Sequence, residues 1–279
     1  MKRLFPLLAV AALVSILAAC GGGKKNTTTT NGAGGPPLKH PGKVVIGFGL
    51  PAPSFWNGQA SGNTLKHPSG FEYSLGIAIA KQLGVSAKNV TLLNVPFSTM
   101  LLAGHKPFDF ALEETTITAQ RAKVIGFSTP YFSANQGVLL AKGVKKPTSL
   151  ADLKKLQLCA QQTTTAVDLI LHKLRPDKQL LQYSASSSAA FDAVQSGACQ
   201  AMILDTPIIE AQAAKKPGAY GGVVGQINTH EGYGAVFQLH SPLIPFVNKA
   251  IRTLQANGTI GKLAKKWEGY DPNSVPVLK

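Results

Sequence analysis

The 279-residue chain is 44% hydrophobic and carries 28 Lys and Arg against 13 Asp and Glu, a formal charge of +15. That apolar content suffices for one large core or two smaller ones, and no internal stretch is long and apolar enough to span a bilayer as a helix. The lysines are scattered in pairs (Lys145-Lys146, Lys154-Lys155, Lys215-Lys216, Lys265-Lys266) with no interleaved aromatic stripe, so they read as solvated faces and no nucleic-acid partner is expected.

The N-terminus differs from the rest. Lys2 and Arg3 precede an apolar run from Leu4 to Ala19, the charged and hydrophobic parts of an export signal over residues 1–19. The run ends in Leu17-Ala18-Ala19-Cys20, small residues before a single Cys, as in the cleavage site of a bacterial lipoprotein. Cys20 is then the lipidated first mature residue, and the protein is expected outside the cytoplasm, anchored to a membrane. Loss of Lys2 and Arg3 lowers the formal charge from +15 to +13. Residues 20–42, "CGGGKKNTTTTNGAGGPPLKHPG", hold almost nothing apolar and read as a disordered tether.

From Lys43 short apolar runs alternate with amphipathic stretches. "VVIGFG" (44–49) predicts a strand, and "FEYSLGIAIAKQLG" (71–84) a helix with Phe71, Leu75, Ala78, Ile79 and Leu83 at helical spacing and Gly84 to end it. "VTLLNV" (90–95), "STMLLAGH" (98–105) and "FDFAL" (108–112) continue as strand, short helix and strand. This β-α-β-α-β order implies a parallel sheet covered by helices. After the apolar crossing stretch "NQGVLLA" (135–141), a second set repeats it: strands at 156–160, 180–184 and 200–205, with helices at 163–174 and 187–197. "GYGAVFQL" (232–239) reads as a returning strand. Then follow a helix from Ser241 as N-cap to Gly258, and a last helix from Thr259 carrying Trp267 as a core anchor. Two α/β lobes joined by two crossing segments form a hinge, with a small-ligand cleft between them.

Several stretches carry a family resemblance. They are "GFEYSLGIAIAKQLG", "FDFALEETTITAQRAKVIGFSTPYF", "LCAQQTTTAVDLI", "SGACQAMILDTPIIEAQA" and "GYGAVFQLHSPLIPFVNKAIRTLQANGTIGKLAKKWEG". With them, the chain resembles the family-3 extracellular solute-binding proteins of polar amino-acid ABC importers. The Thr-x-Thr-x-x-Arg run before Phe-Ser-x-Pro-Tyr is the most specific. The resemblance implies two Rossmann-like lobes of the type II periplasmic binding protein kind: residues 43–136 with 232–279 as the first, 137–231 as the second. It implies a free amino acid as ligand and ABC permease subunits as partners, with no cofactor, metal or catalysis.

Residue by residue, the resemblance puts Arg121 at the ligand's α-carboxylate, where a guanidinium offers a planar fork of donors. Without it, an arginine before a strand reads equally as a structural ion pair. Thr116 falls where a hydroxyl or backbone group holds the same carboxylate, and Glu114 where a small residue's carbonyl receives the ammonium; Glu114 and its neighbour Glu113 depart from the pattern. Thr164 and Thr165 match hydroxyl positions at the start of a helix, whereas Thr163 stands where the family has glycine. Asp205 matches the acceptor of the α-ammonium; capping of the next helix is its alternative reading. Phe97 matches one aromatic wall, with Phe48, Phe55 and Trp56 competing for the other. Because Phe48 stands near the family's acid for cationic side chains, a neutral polar or acidic ligand is favoured, against the opposite indication from Glu113 and Glu114. The topology makes the strands of Cys159 and Cys199 neighbours, predicting a disulfide. A dehydratase acting on a cyclohexadienyl acid, on the same fold, is the competing function.

Overall fold

In this computed structural model, which describes residues 35–183, 187–269 and 275–279, strand residues alternate between two cores as the two-residue period of a pleated strand requires. The export signal and Cys20 lie outside the described residues, as does the tether up to residue 34. Strand β1 (Val44–Phe48) sends Val44, Ile46 and Phe48 to one face and Val45 to the other. A hairpin follows, β2 (Asn57–Ser61) and β3 (Thr64–Ser69), and then helix α1 (Phe71–Gln82). Its buried Phe71, Leu75 and Ile79 recur every four residues, and Gly84, at φ 79°, lets the chain turn off its end. Next come β4 (Val90–Asn94), the short α2 (Phe97–Met100), β5 (Phe110–Ala111) and β6 (Ile125–Phe127).

The chain then crosses to the second lobe along β7 (Phe132–Leu140). That lobe holds α3 (Leu150–Lys154), β8 (Leu158–Gln161), α4 (Thr165–Asp168) running into a π-helical turn (Leu169–Leu174), β9 (Leu181–Tyr183), α5 (Ser187–Ser196), β10 (Ala201–Asp205) and α6 (Thr206–Lys215). The return runs along β11 (Gly222–Tyr233) into β12 (Val236–Gln238), and α7 (Ile244–Ala256) and α8 (Thr259–Trp267) close the first lobe.

Among the described residues each lobe is built on a five-stranded sheet, ordered β4-β1-β5-β12-β6 in the first and β11-β7-β10-β8-β9 in the second. Both have the expected parallel centre: β1 pairs parallel with β4 and β5, and β8 with β9 and β10. The crossing strands make both sheets mixed. β7 and β11 pair antiparallel from Tyr233↔Phe132 to Gly222↔Leu140, a two-stranded ribbon joining the lobes.

Two boundaries differ from expectation. Pro36–Gly42 belong to the folded part rather than the tether, because Leu38 packs on the core and the Lys39 N–H donates to Asp109 at 2.8 Å. Residues 275–279 belong to the second lobe rather than the first: Val277 bridges Gln226, and Leu278 lies in the core under α3 and the π-helical turn. The helix expected to start at Ser241 begins at Ile244, its Ser241 N-cap replaced by Leu243 without a side-chain cap.

Cys159 on β8 and Cys199, just ahead of β10, form a disulfide with Cα atoms 5.9 Å apart and a sequence separation of 40. Closing a loop of that size removes entropy from the unfolded chain, worth about 4 kcal/mol. Replacing both by Ser is expected to lower the melting temperature in circular dichroism, and a reductant should bring the wild type to the same value. A melting curve indifferent to reductant would contradict the bond.

Candidate ligand-binding site

The strand ends of both sheets face one cavity of about 230 Å³ between the lobes, room for one small molecule. Arg121, Asp205, Thr116, Glu114, Thr164, Thr165 and Phe97 line it, together with Glu113 and the loop Gly49-Leu50-Pro51.

Arg121 is aimed by local structure. Its N–H donates to the Thr118 hydroxyl at 3.1 Å, opening a turn that points the side chain at the second lobe. Nη1 donates to the Thr116 carbonyl at 2.8 Å and Nη2 to the Thr163 carbonyl at 2.9 Å, across the cleft. Phe97 lies against the guanidinium, 5.5 Å from ring centroid to Cζ, a cation–π contact. Burial lowers the arginine's pKa, opposed by the charges of Asp205, Glu231 and Asp168. Thr163 has a left-handed backbone (φ 65°), an uncommon conformation for a β-branched residue.

Asp205 ends β10, and α6 starts at Thr206 with no side-chain cap from Asp205. Its carboxylate accepts instead from the Tyr233 hydroxyl at 2.6 Å and from Gln136 Nε2. Sequence reading missed both donors, and it missed Glu231 on β11. Glu231 Oε2 accepts from Thr116 at 2.6 Å in one lobe and from Thr165 at 2.7 Å in the other, and Oε1 accepts from Gln136 at 3.1 Å. The available signal was their position: all three stand on the two segments that cross the hinge. Neither hydroxyl of the Thr164-Thr165 pair caps α4; Thr164 donates to the Gln161 carbonyl at 2.7 Å.

Deeper in the first lobe lies a second acidic group. Glu72, fully buried on α1, accepts from Trp56 Nε1 at 2.8 Å, from the Glu114 N–H at 2.9 Å and from the Tyr131 hydroxyl. Glu113 is 6% exposed and lines the cavity, with Oε2 unpartnered; Glu114 Oε1 is unpartnered as well. Burial, then the neighbouring Glu72, holds both carboxyls well above the usual range. Glu72 was detectable, since positions 72, 75, 76 and 79 form one helical face whose other members are buried and apolar.

Phe48 and Trp56 are corrections, for neither lines the cavity. Their rings stack at 4.9 Å inside the first lobe, where the indole N–H is committed to Glu72 and the Leu112 carbonyl. Phe55 is equally buried, edge-on to Phe71, Phe132 and Tyr233. Leu50 and Pro51 line the cavity where that aromatic wall was expected. Glu113 and Glu114 put two acids on the lining.

Burial, then the charge of Glu231, raises Asp205 to about 7 from 3.8. The folded state therefore holds this proton where the unfolded chain has lost it, so stability is retained at low pH and falls as pH rises from about 4 to about 7. The unliganded melting temperature should drop between about pH 5 and pH 7.5. Asp205→Asn should show a shallower drop and a gain on the order of 2 kcal/mol at the upper end. Equal slopes for both proteins would refute the assignment.

Residues 45–270 match the family described as bacterial extracellular solute-binding proteins, family 3. An arginine-binding periplasmic protein of Mannheimia haemolytica is 28% identical over 206 residues, 72% of this chain and 82% of that relative. Among solved structures, an ancestral arginine-binding protein bound to glutamine superposes with a TM-score of 0.72 at 29% identity, covering 83% of this chain and all of that one. The ancestral amino acid-binding protein AncCDT-1, a precursor of cyclohexadienyl dehydratase, gives 0.68 at 28% identity, with 81% and 95% covered. With that match over most of its length, the chain belongs to the bacterial extracellular solute-binding proteins, family 3.

Proposed function

We propose that this protein captures one free amino acid with a cationic side chain between its lobes and presents it to the membrane subunits of an ABC importer. It does so outside the cytoplasm, held to the membrane by a lipid on Cys20. The observation that carries the reading is the pairing of Arg121 and Asp205, from separate lobes, on one cavity that also has Glu113 and Glu114 on its lining. Arg121 suits the α-carboxylate and Asp205 the α-ammonium. Arg121 interacts with Asp205, Glu231 and Asp168, whereas Glu113 and Glu114 interact with Glu72, so the cleft has two electrostatic groups and the second suits a side-chain cation. Hydrogen bonds to charged groups contribute about 1.5–3 kcal/mol each, and a few of them reach the ~8 kcal/mol of micromolar binding. Contacts from both lobes to one ligand favour the closed arrangement, which the importer reads.

The relatives with arginine in their names support this choice, as does the acid on the lining. Dehydration of a cyclohexadienyl acid is the competing reading, favoured by AncCDT-1 and by a protonated carboxyl as general acid. An acceptor for an ammonium and two further acids beside it suit a cation better than a polycarboxylate.

Thermal-shift titration of the mature domain with the standard amino acids is the test. Arginine or lysine should raise the melting temperature while glutamate leaves it unchanged; stabilisation by glutamate, or turnover of a cyclohexadienyl acid, would overturn the proposal. Arg121→Ala and Asp205→Ala should each weaken binding by about 3 kcal/mol or more, over 100-fold, while still unfolding cooperatively.

A further inference from the structure

Four carboxyls meet at and beneath the cavity floor in the first lobe. Glu113 and Glu114 follow β5, Glu72 comes from α1, and Glu268 from the end of α8, its Oε2 accepting from the Ser54 hydroxyl at 2.7 Å. No Lys, Arg or His of the described residues forms a salt bridge with any of them. The Glu114 N–H donates to Glu72 Oε1 at 2.9 Å, while Glu114 Oε1 itself has no donor. Glu113 is the least provided for. Its carboxyl is pressed against bare backbone at Gly49, where a Cβ would lie 1.7 Å from Oε1, and its Oε2 has no donor although only 6% of the residue is exposed. An ionised carboxylate in such a position costs several kcal/mol. It meets that cost by keeping a proton or by receiving a cation from the cavity it lines.

We infer that Glu113 and Glu114 are a proton-exchanging subsite: they hold protons in the unliganded protein and release one to solvent when the side-chain cation of the bound amino acid takes its place. This deepens the proposed function and rests on its cationic ligand. The exchange is balanced, a neutral carboxyl and a cation becoming a carboxylate–cation pair and one free proton. The titratable groups facing the pair are Glu72 from α1, Tyr131 ahead of β7 and Glu268 after α8. Across the cavity stand Arg121, Asp205 and Glu231, which serve the α-groups. Asp205 also loses proton on meeting an α-ammonium, but it does so for every amino acid. The subsite's signature is the difference between a cationic ligand and its neutral isostere. That difference has a consequence for selectivity: preference for the cation strengthens as pH rises, because fewer protons need displacing.

The experiment is calorimetric titration of the whole mature domain with L-arginine and L-citrulline, near neutral pH, in buffers of differing ionisation enthalpy. Arginine is expected to release close to one proton more than citrulline, and its affinity relative to citrulline to grow up to tenfold per pH unit below neutrality. Glu113→Gln should abolish most of the surplus proton and weaken arginine at least tenfold. Glu114→Gln provides a second variant, expected to reduce the surplus as well. Cooperative melting of each variant establishes that it folds. Arginine that binds with the same proton count as citrulline, or a surplus unchanged in both variants, would overturn the exchange alone. Arginine that fails to bind while a neutral or acidic amino acid does would overturn the cationic ligand, and the exchange with it.

Discussion

Burying a carboxylate is costly unless a cation or a proton goes with it. Six of the chain's 13 acids, Glu72, Glu113, Glu114, Asp205, Glu231 and Glu268, are placed in or beneath the cleft, where that constraint applies. The salt bridges of the described residues, Lys155–Asp152 and Lys216–Asp192, are both exposed and lie elsewhere. Hydroxyls, amides and protons therefore do the balancing. Tyr233 and Gln136 serve Asp205; Thr116, Thr165 and Gln136 serve Glu231; Trp56, Tyr131 and the Glu114 backbone serve Glu72. Neutral donors satisfy geometry without cancelling charge, so the site keeps a demand for positive charge that a ligand can meet.

The same network sets how the lobes meet. Glu231 stands on a crossing strand and accepts one hydroxyl from each lobe, while Arg121 reaches from the first lobe to a carbonyl of the second. Arg121, Thr116 and Thr165 in these bonds also line the cavity, so closing the cleft and shaping the pocket are coupled. An acid on the hinge can bond both sides because its backbone belongs to the ribbon between them. The same acid on either lobe's outer surface would bond only its own lobe.

Much of the fold was legible because helix and strand periods are properties of short windows. The β-α-β order and the face of α1 formed by Phe71, Leu75 and Ile79 needed no distant information. The β2–β3 hairpin escaped, since "NGQASGNTLKHPS" has glycines, no alternation and only Leu65 buried among its strand residues. The long β11 escaped too, because Asn228, Thr229, His230 and Glu231 within it have a composition shared with loops. Arg121 and Asp205 were picked out by a motif, whereas Gln136 and Glu231 carry no local sign separating a cleft-facing polar residue from a solvated one. The aromatics went astray for a related reason. Sequence puts Phe48 and Trp56 beside the cleft loop, but their direction depends on Glu72, a residue 16 positions further along that claims the indole N–H.

Charge is arranged oppositely at two scales. The whole chain has 28 cationic against 13 anionic residues, and at long range such a net charge would turn a cationic amino acid away. Physiological salt screens exposed charges beyond about 8 Å, and the paired lysines are on the solvated faces. Inside the cleft Asp205 and Glu113 are buried, so salt screens them less than it screens the exposed lysines. The outer and inner charges thus act at different ranges, the one screened by salt and the other sheltered by burial. Moving one lysine across the surface would leave selection untouched; moving one proton at Glu113 would alter it.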